Sequence, residues 1–226
     1  FIVFFFFKQK TAYEIGTGDW SSDVCSSDLE HDKQRRECSK HTGGILESGG
    51  WCLIHSRNCR LRNCTVMLPN NHSYRLPLHH VEADPAILDH LISIVDEDPN
   101  VMINDFGAGV GQYGHALLAA RPKAKYLGYD GAGNVESITS HFIRWFDLTK
   151  RVAVPKSDWV ISLEVGEHVP HANEMMLIRN LHAHNTKGVM LSWARLNQPG
   201  TGHVNLHTSS YLIKLFDALG YEYDGH

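Results

Sequence analysis

From Val101 onward the chain alternates short apolar runs with stretches of helical period. "VMINDF", "KYLGYD", "FIRWFDL", "DWVISLEV" and "GVMLSWA" are compact and rich in branched and aromatic residues, which predicts buried strands. Helices are predicted between them: after Gly111, after Asn134, around Met175 to His184, and from Ser209 to Leu219. Ahead of this block, Asp84-Pro85 marks a helix start, because Asp caps free amides and Pro suits the first turn. Ile87, Leu91, Ile94 and Val95 then share one apolar face, and Asp96 to Asn100 ends it. Strands separated by helices of this length build βαβ units, so the expected fold is α/β, a Rossmann-like and mostly parallel sheet flanked by helices. Ligands of such sheets bind beyond the carboxyl ends of the strands.

The first 82 residues break this rhythm. Phe4 to Leu29, "FFFFKQKTAYEIGTGDWSSDVCSSDL", is apolar and then Ser/Asp-rich with no lasting period, and it resembles the translated read-through of a sequencing-library adapter. Residues 1–29 are therefore expected to be adapter-derived and disordered. A signal peptide is the alternative, weakened by an apolar run of only seven residues with no basic region before it. Residues 30–82 read as an irregular lead-in, with a hairpin around Pro69-Asn70-Asn71 in "TVMLPNNHSYRLPL". The expected main domain is 83–226.

The 226 residues carry 21 basic and 25 acidic side chains, a formal charge of −4. That balance argues against holding nucleic acid by a basic surface, and no run of about 18 apolar residues is present to span a membrane. Cys38, Cys52, Cys59 and Cys64 cluster without a C-x-x-C pair, so zinc is a weak reading there. Disulfides beside the sequons Asn63-Cys64-Thr65 and Asn71-His72-Ser73 suit a secretory lumen, while reduced thiols suit the cytoplasm; both compartments stay open. Sixteen His residues make proton and metal chemistry worth following.

The strand ends carry the chemistry. "DFGAGVGQYG", Asp105 to Gly114, sets Gly107, Gly109 and Gly111 around Ala108 and Val110 before a helix N-terminus. Gly109, Gly111 and Gly114 satisfy G-x-G-x-x-G, so a nicotinamide dinucleotide is a rival ligand. Asp130 stands 19 positions beyond Gly111, where a carboxylate can accept ribose hydroxyls. Asp105 discriminates: it suits an ammonium group and would repel a pyrophosphate. Asp147 follows the third run, where it can meet an adenine amino group.

"DFGAGVGQYG", "YLGYDGAGN", "FDLT" and "SLEVGEHVP", in this order, resemble the class I S-adenosylmethionine-dependent methyltransferases, and more narrowly a group of poorly characterised animal methyltransferase-like proteins. The resemblance runs from about Gly49 to Asp224. It implies that Asp105, Gly107, Ala108, Gly109 and Gly111 hold the methionine part of S-adenosylmethionine, Asp130 the ribose, and Asp147 with Leu148 the adenine. Glu164 would line the methyl-transfer cavity. The methyl acceptor is not implied.

Glu164-x-x-Glu167-His168 places acid and imidazole groups on one face of a turn, and His203 with His207 follows the fifth run. Glu167, His168 and His203 are the predicted acid–base residues, moving the proton of an acceptor oxygen or nitrogen. Two Glu and two His also suit a divalent ion, as in the small-RNA 2′-O-methyltransferases that the pattern resembles. The same residues occur structurally in metal-free methyltransferases of ubiquinone type, and no metal is expected here. Trp193 and the Met175-Met176 pair read as core, and His79-His80 as a lid or a surface pair.

Two rivals are kept, an NAD-dependent oxidoreductase and a non-catalytic cofactor-binding scaffold. One structural expectation concerns the end of the chain. The resemblance implies a sheet that closes with an antiparallel pair, and "YEYD" supplies its sixth strand with no seventh run after it. The fifth strand is therefore expected to present an unpaired, aggregation-prone edge.

Overall fold

In the computed structural model, residues 4–10, four two-residue strands between 45 and 74, and residues 82–224 other than 134, 199 and 201 are described. The chain forms an α/β fold whose seven-stranded mixed sheet is flanked by helices. Two compact units divide it, one of 1–25, 102–107 and 147–226, the other of 26–101 and 108–146.

The first unit contains β1 (Phe4–Gln9), β6 (Met102–Phe106), β9 (Ser157–Ser162), α4 (Glu174–Ala183), β10 (Asn185–Ser192), α5 (Ser209–Ala218) and β11 (Tyr221–Asp224). Its strands run in the order β11-β1-β10-β9-β6. β6, β9 and β10 are parallel, as their continuous apolar runs predict, and Ile103, Val160, Ile161, Val189, Met190 and Leu191 are fully buried.

Here two expectations are corrected. The segment expected to be disordered contributes β1, which pairs antiparallel with β10 (Phe4↔Ser192 to Lys8↔Gly188) and with β11 (Phe6↔Asp224 to Gln9↔Tyr221). The edge of β10 expected to be open is thus covered. Alternation explains why a Phe run works as a strand: Phe5 and Phe7 point to one face and are buried, while Lys8 meets Asp224 in an ion pair. Phe7 stacks on Phe216 at 4.2 Å, and burying each such ring is worth about 1.5–3 kcal/mol. Gly188 lets β1 approach, since a Cβ there would lie 2.3 Å from the Phe7 carbonyl oxygen.

The second unit contains β2 (Ile45–Leu46), β3 (Cys52–Leu53), β4 (Val66–Met67), β5 (Ser73–Tyr74), α1 (Pro85–Glu97), α2 (Gln112–Ala120), β7 (Lys125–Asp130), α3 (Val135–Ile138) and β8 (Ile143–Trp145). The lead-in is more regular than expected: β2-β3-β5-β4 form a small antiparallel sheet, and the expected hairpin is the β4–β5 pair. α1 begins as predicted. The Asp84 carboxylate accepts from the amides of Ala86 (2.9 Å) and Ile87 (3.3 Å), and Ile87, Leu91, Ile94 and Val95 are its buried face. β7 and β8 are parallel. The cysteine side chains, both sequons and His79-His80 lie outside the described residues.

Candidate functional site

In the second unit the glycine loop leads into α2. Gly111 has φ +85° and a Cβ there would strike Phe142 at 2.7 Å, so both conformation and space demand glycine. Gly109, at φ +58°, differs in its surroundings: a Cβ there would meet only the Gln112 Oε1, at 3.4 Å. The loop is tied to the end of β7. The Gly109 amide donates to Asp130 Oδ2 (2.9 Å), the Ala132 amide donates to Oδ1 (2.8 Å), and the Ala108 amide donates to the Tyr129 carbonyl. Burial pushes the Asp130 carboxyl up, opposed by the amides of Ala132, Gly109 and Gly131. Asp130 thus stands beside the loop with both oxygens engaged by amides, which no sequence pattern indicated. Trp145, half exposed, donates its indole N–H to the Gly131 carbonyl (3.1 Å) and so stands over the same turn.

In the first unit Asp105 is buried near the end of β6, in register with Ile161. Gly107 follows at φ +89°. A Cβ at Gly107 would lie 2.2 Å from Val165 Cγ2, which brings the start of the glycine loop against the segment after β9. Asp147 is engaged locally: its Oδ1 accepts from the Thr149 amide (2.9 Å) and hydroxyl (2.6 Å), and Lys150 lies 3.0 Å from Oδ2. Burial raises its carboxyl, but Thr149 and Lys150 outweigh that and hold it below the usual range. Leu148 is buried, and its carbonyl accepts from the Asn180 amide group.

The segment after β9 is strained. Glu164 has φ +56°, a left-handed conformation that costs a non-glycine residue about 1 kcal/mol or more. Ser192, at the end of β10, holds it there: the Glu164 amide donates to the Ser192 hydroxyl (2.8 Å), which donates to Glu164 Oε1 (2.9 Å). Nothing in the sequence pattern pointed to Ser192. A 3-10 turn, Gly166–His168, follows.

Glu167 and His168 of that turn and His203 of the loop after β10 bring ligand-capable atoms within 4.8 Å of one another. Their environments differ. Glu167 is fully buried, and neither carboxyl oxygen has a hydrogen-bond partner among the described residues. Burial, with the charge of Glu164 beside it, pushes its carboxyl up to about 8. His168 is exposed, with Nδ1 3.1 Å from the Gly202 carbonyl, and its ring meets that of His203 edge-on at 5.1 Å. A carbonyl acceptor fixes the tautomer, placing the proton on Nδ1 and the lone pair on Nε2.

His207, grouped with His203 in the sequence reading, belongs to another cluster. Its Nε2 lies 2.6 Å from Glu174 Oε2. Glu174 begins α4 and also accepts from Asn205 Nδ2 (2.8 Å), from the Tyr211 hydroxyl and, at 3.1 Å, faces His171 Nδ1. Trp193 is buried, as expected, and donates to the Asn205 carbonyl at 2.6 Å. The amides of Val204 and Asn205 donate to the Glu167 carbonyl, linking this loop to the 3-10 turn.

No protein-family model matches the chain, and no curated protein matches it. Solved structures similar to it include magnesium protoporphyrin IX methyltransferase of Synechocystis with bound SAH (22% identity, 59% of this chain, 71% of that chain, TM-score 0.47). TehB of Haemophilus influenzae is similar at 13% identity over 59% of this chain and 51% of that chain, TM-score 0.48. YcgJ of Bacillus subtilis is similar at 17% identity over 60% of this chain and 68% of that chain, TM-score 0.47. No helix among the described residues is long and apolar enough to cross a membrane.

Proposed function

We propose that the chain is an S-adenosylmethionine-dependent methyltransferase acting on an acceptor whose identity is open. The observation that carries this reading is the tie between the glycine loop and Asp130: the Gly109 amide holds the Asp130 carboxylate, and a Cβ at Gly109 would meet only the end of the Gln112 side chain, at 3.4 Å. That is a glycine cradle with an acid at the next strand end, suited to a ribose-bearing ligand. Asp105, Gly107, Asp147, Leu148 and Glu164 of the first unit, and Ala108, Gly109, Gly111 and Asp130 of the second, are the residues this reading assigns to the cofactor. When bound, that cofactor supplies an electrophilic methyl on a sulfonium sulfur.

The chain's own part is orientation and proton handling. Buried Asp105 offers a carboxylate to an ammonium group. Ser192 keeps the Glu164 carboxylate turned inward. His168 is the exposed member of the predicted acid–base trio, and its Nε2 accepts the proton that the acceptor oxygen or nitrogen loses as it forms its bond to the methyl carbon. Glu167, buried and held as the neutral acid at neutral pH, is a positioning residue under His168.

Calorimetry of the full chain with S-adenosylmethionine, S-adenosylhomocysteine and NAD separates the readings. Binding of the first two and not of NAD is expected; binding of NAD alone would establish the oxidoreductase. Asp130→Ala should weaken S-adenosylmethionine by about 1–3 kcal/mol, since hydrogen bonds to a charged acceptor are lost. His168→Gln should keep cofactor affinity and lose turnover. A Mg²⁺ requirement that disappears in Glu167→Gln would replace the acid–base role of this trio with a metal-binding one.

A further inference from the structure

The crowded carboxylate of Glu174 has no place in the methyl-transfer chemistry. Its Oε1 accepts from the Tyr211 hydroxyl, and its Oε2 faces three nitrogens: His207 Nε2 at 2.6 Å, Asn205 Nδ2 at 2.8 Å and His171 Nδ1 at 3.1 Å. A carboxylate oxygen offers about two lone-pair directions. His171 Nδ1 also lies 3.3 Å from Asn205 Oδ1, so the metal-free cluster is closed by hydrogen bonds. The same two imidazole nitrogens and the carboxylate nevertheless converge on one spot, where two imidazole lone pairs and an anionic oxygen can take a cation in place of those protons.

We propose that His171, Glu174 and His207 form a binding site for one zinc-type divalent cation, separate from the Glu167, His168 and His203 trio. Two imidazoles and one carboxylate are a borderline donor set, suited to Zn²⁺ or Co²⁺ and poor for Mg²⁺ or Ca²⁺, which prefer oxygen. The three ligand atoms already lie within 4.8 Å of one another. A supporting layer is also in place. Tyr211 fixes the far oxygen of Glu174, and the Tyr211 ring stacks on His207 at 4.1 Å with the planes 19° apart, which orients the imidazole. His171, with its side chain 74% exposed, gives the ion a way in and leaves a fourth position for water or another ligand.

The ligands come from two pieces of chain, the turn that runs into the first residue of α4 and the loop before α5. The ion would therefore fasten that loop, whose amides at Val204 and Asn205 hold the carbonyl of Glu167. Its role is to brace the methyl-transfer region without touching a reacting atom. It stands or falls independently of the proposed activity.

The test is zinc binding by the full chain, stripped by chelator and titrated with Zn²⁺ by calorimetry, with bound zinc counted after dialysis. Co²⁺ in place of Zn²⁺ reports coordination through its visible absorption. One equivalent of zinc is expected, reduced at least 30-fold in affinity by His207→Ala and by His171→Ala, and unchanged in His203→Ala. His171→Ala guards against a folding artefact, because that side chain is largely exposed. Absence of a stoichiometric site would overturn the proposal. So would a site that survives both His171→Ala and His207→Ala, or one lost in His203→Ala, which would assign the ion to the other trio.

Discussion

Two clusters of one Glu and two His stand within the first unit, and they are electrostatic opposites. Glu167 and Glu174 are both buried, so both lose the solvation that favours a carboxylate. At Glu174, burial raises the carboxyl, but hydrogen bonds from Tyr211, His207 and Asn205 overcome this and its affinity for protons falls. Glu167 has no comparable side-chain donors and faces the like charge of Glu164, so burial outweighs the nearby backbone N–H groups and its carboxyl rises to about 8. Composition and burial are therefore not what sets the charge of a buried acid. The count of donors within reach does.

The largest expected effect breaks the satisfied cluster. Glu174→Ala leaves the Tyr211 hydroxyl and the donors of Asn205 and His207 facing a cavity, and should cost about 3–5 kcal/mol of stability by urea unfolding. A loss below about 1 kcal/mol would mean that the network contributes little and that the contrast with Glu167 is one of position only.

The pH dependence sharpens the comparison, because the two acids act with opposite sign. Glu167 binds its proton more tightly folded than unfolded, so its contribution is fully present below the unfolded value near 4.5 and is lost as pH rises toward 8. Glu174 is depressed when folded, so its contribution is present above about 4.5 and is lost as pH falls further. Unfolding free energy measured by urea against pH should show Glu167→Gln flattening the fall between about pH 4.5 and 8, by at most about 1.4 kcal/mol per pH unit. Glu174→Gln should flatten the acid limb. If both variants altered the same limb, the opposed assignment would be wrong.

The smallest effect concerns what turns Glu164 toward Glu167. Ser192→Ala removes the hydroxyl that bridges the Glu164 amide and carboxylate, and about 1 kcal/mol of stability should go with it. Freed from Ser192, Glu164 should also sit farther from Glu167, so the limb that falls toward pH 8 should become shallower. An unchanged limb would show that Glu164 stays in place without the hydroxyl.

Much of this architecture was legible in the chain. The cap at Asp84-Pro85 and the face of Ile87, Leu91, Ile94 and Val95 are local properties, and local properties survive folding. The Glu167-His168 pair shares a turn, so its proximity follows from spacing. Other features depend on partners remote in sequence. His207 and Glu174 are 33 positions apart, and no periodicity announces that the imidazole turns to this acid and away from Glu167. The left-handed Glu164 was hidden because no glycine or asparagine marks the bend. β1 was hidden for a further reason: a run of Phe has no polar alternation, although the pleat alone sends Phe5 and Phe7 to one side.

β1 also imposes an order of events during synthesis. Gln9 meets Asn185 across 176 positions, so the strand's docking groove does not exist until that much further chain has left the ribosome. At about 5–20 residues per second, the phenylalanines wait roughly 9–35 s without a partner. Loop closure over such a distance is slow, and an unsheltered aromatic strand is what chaperones retain. Yield in cells should therefore respond to chaperone supply and to translation speed more than to the equilibrium stability of the finished sheet.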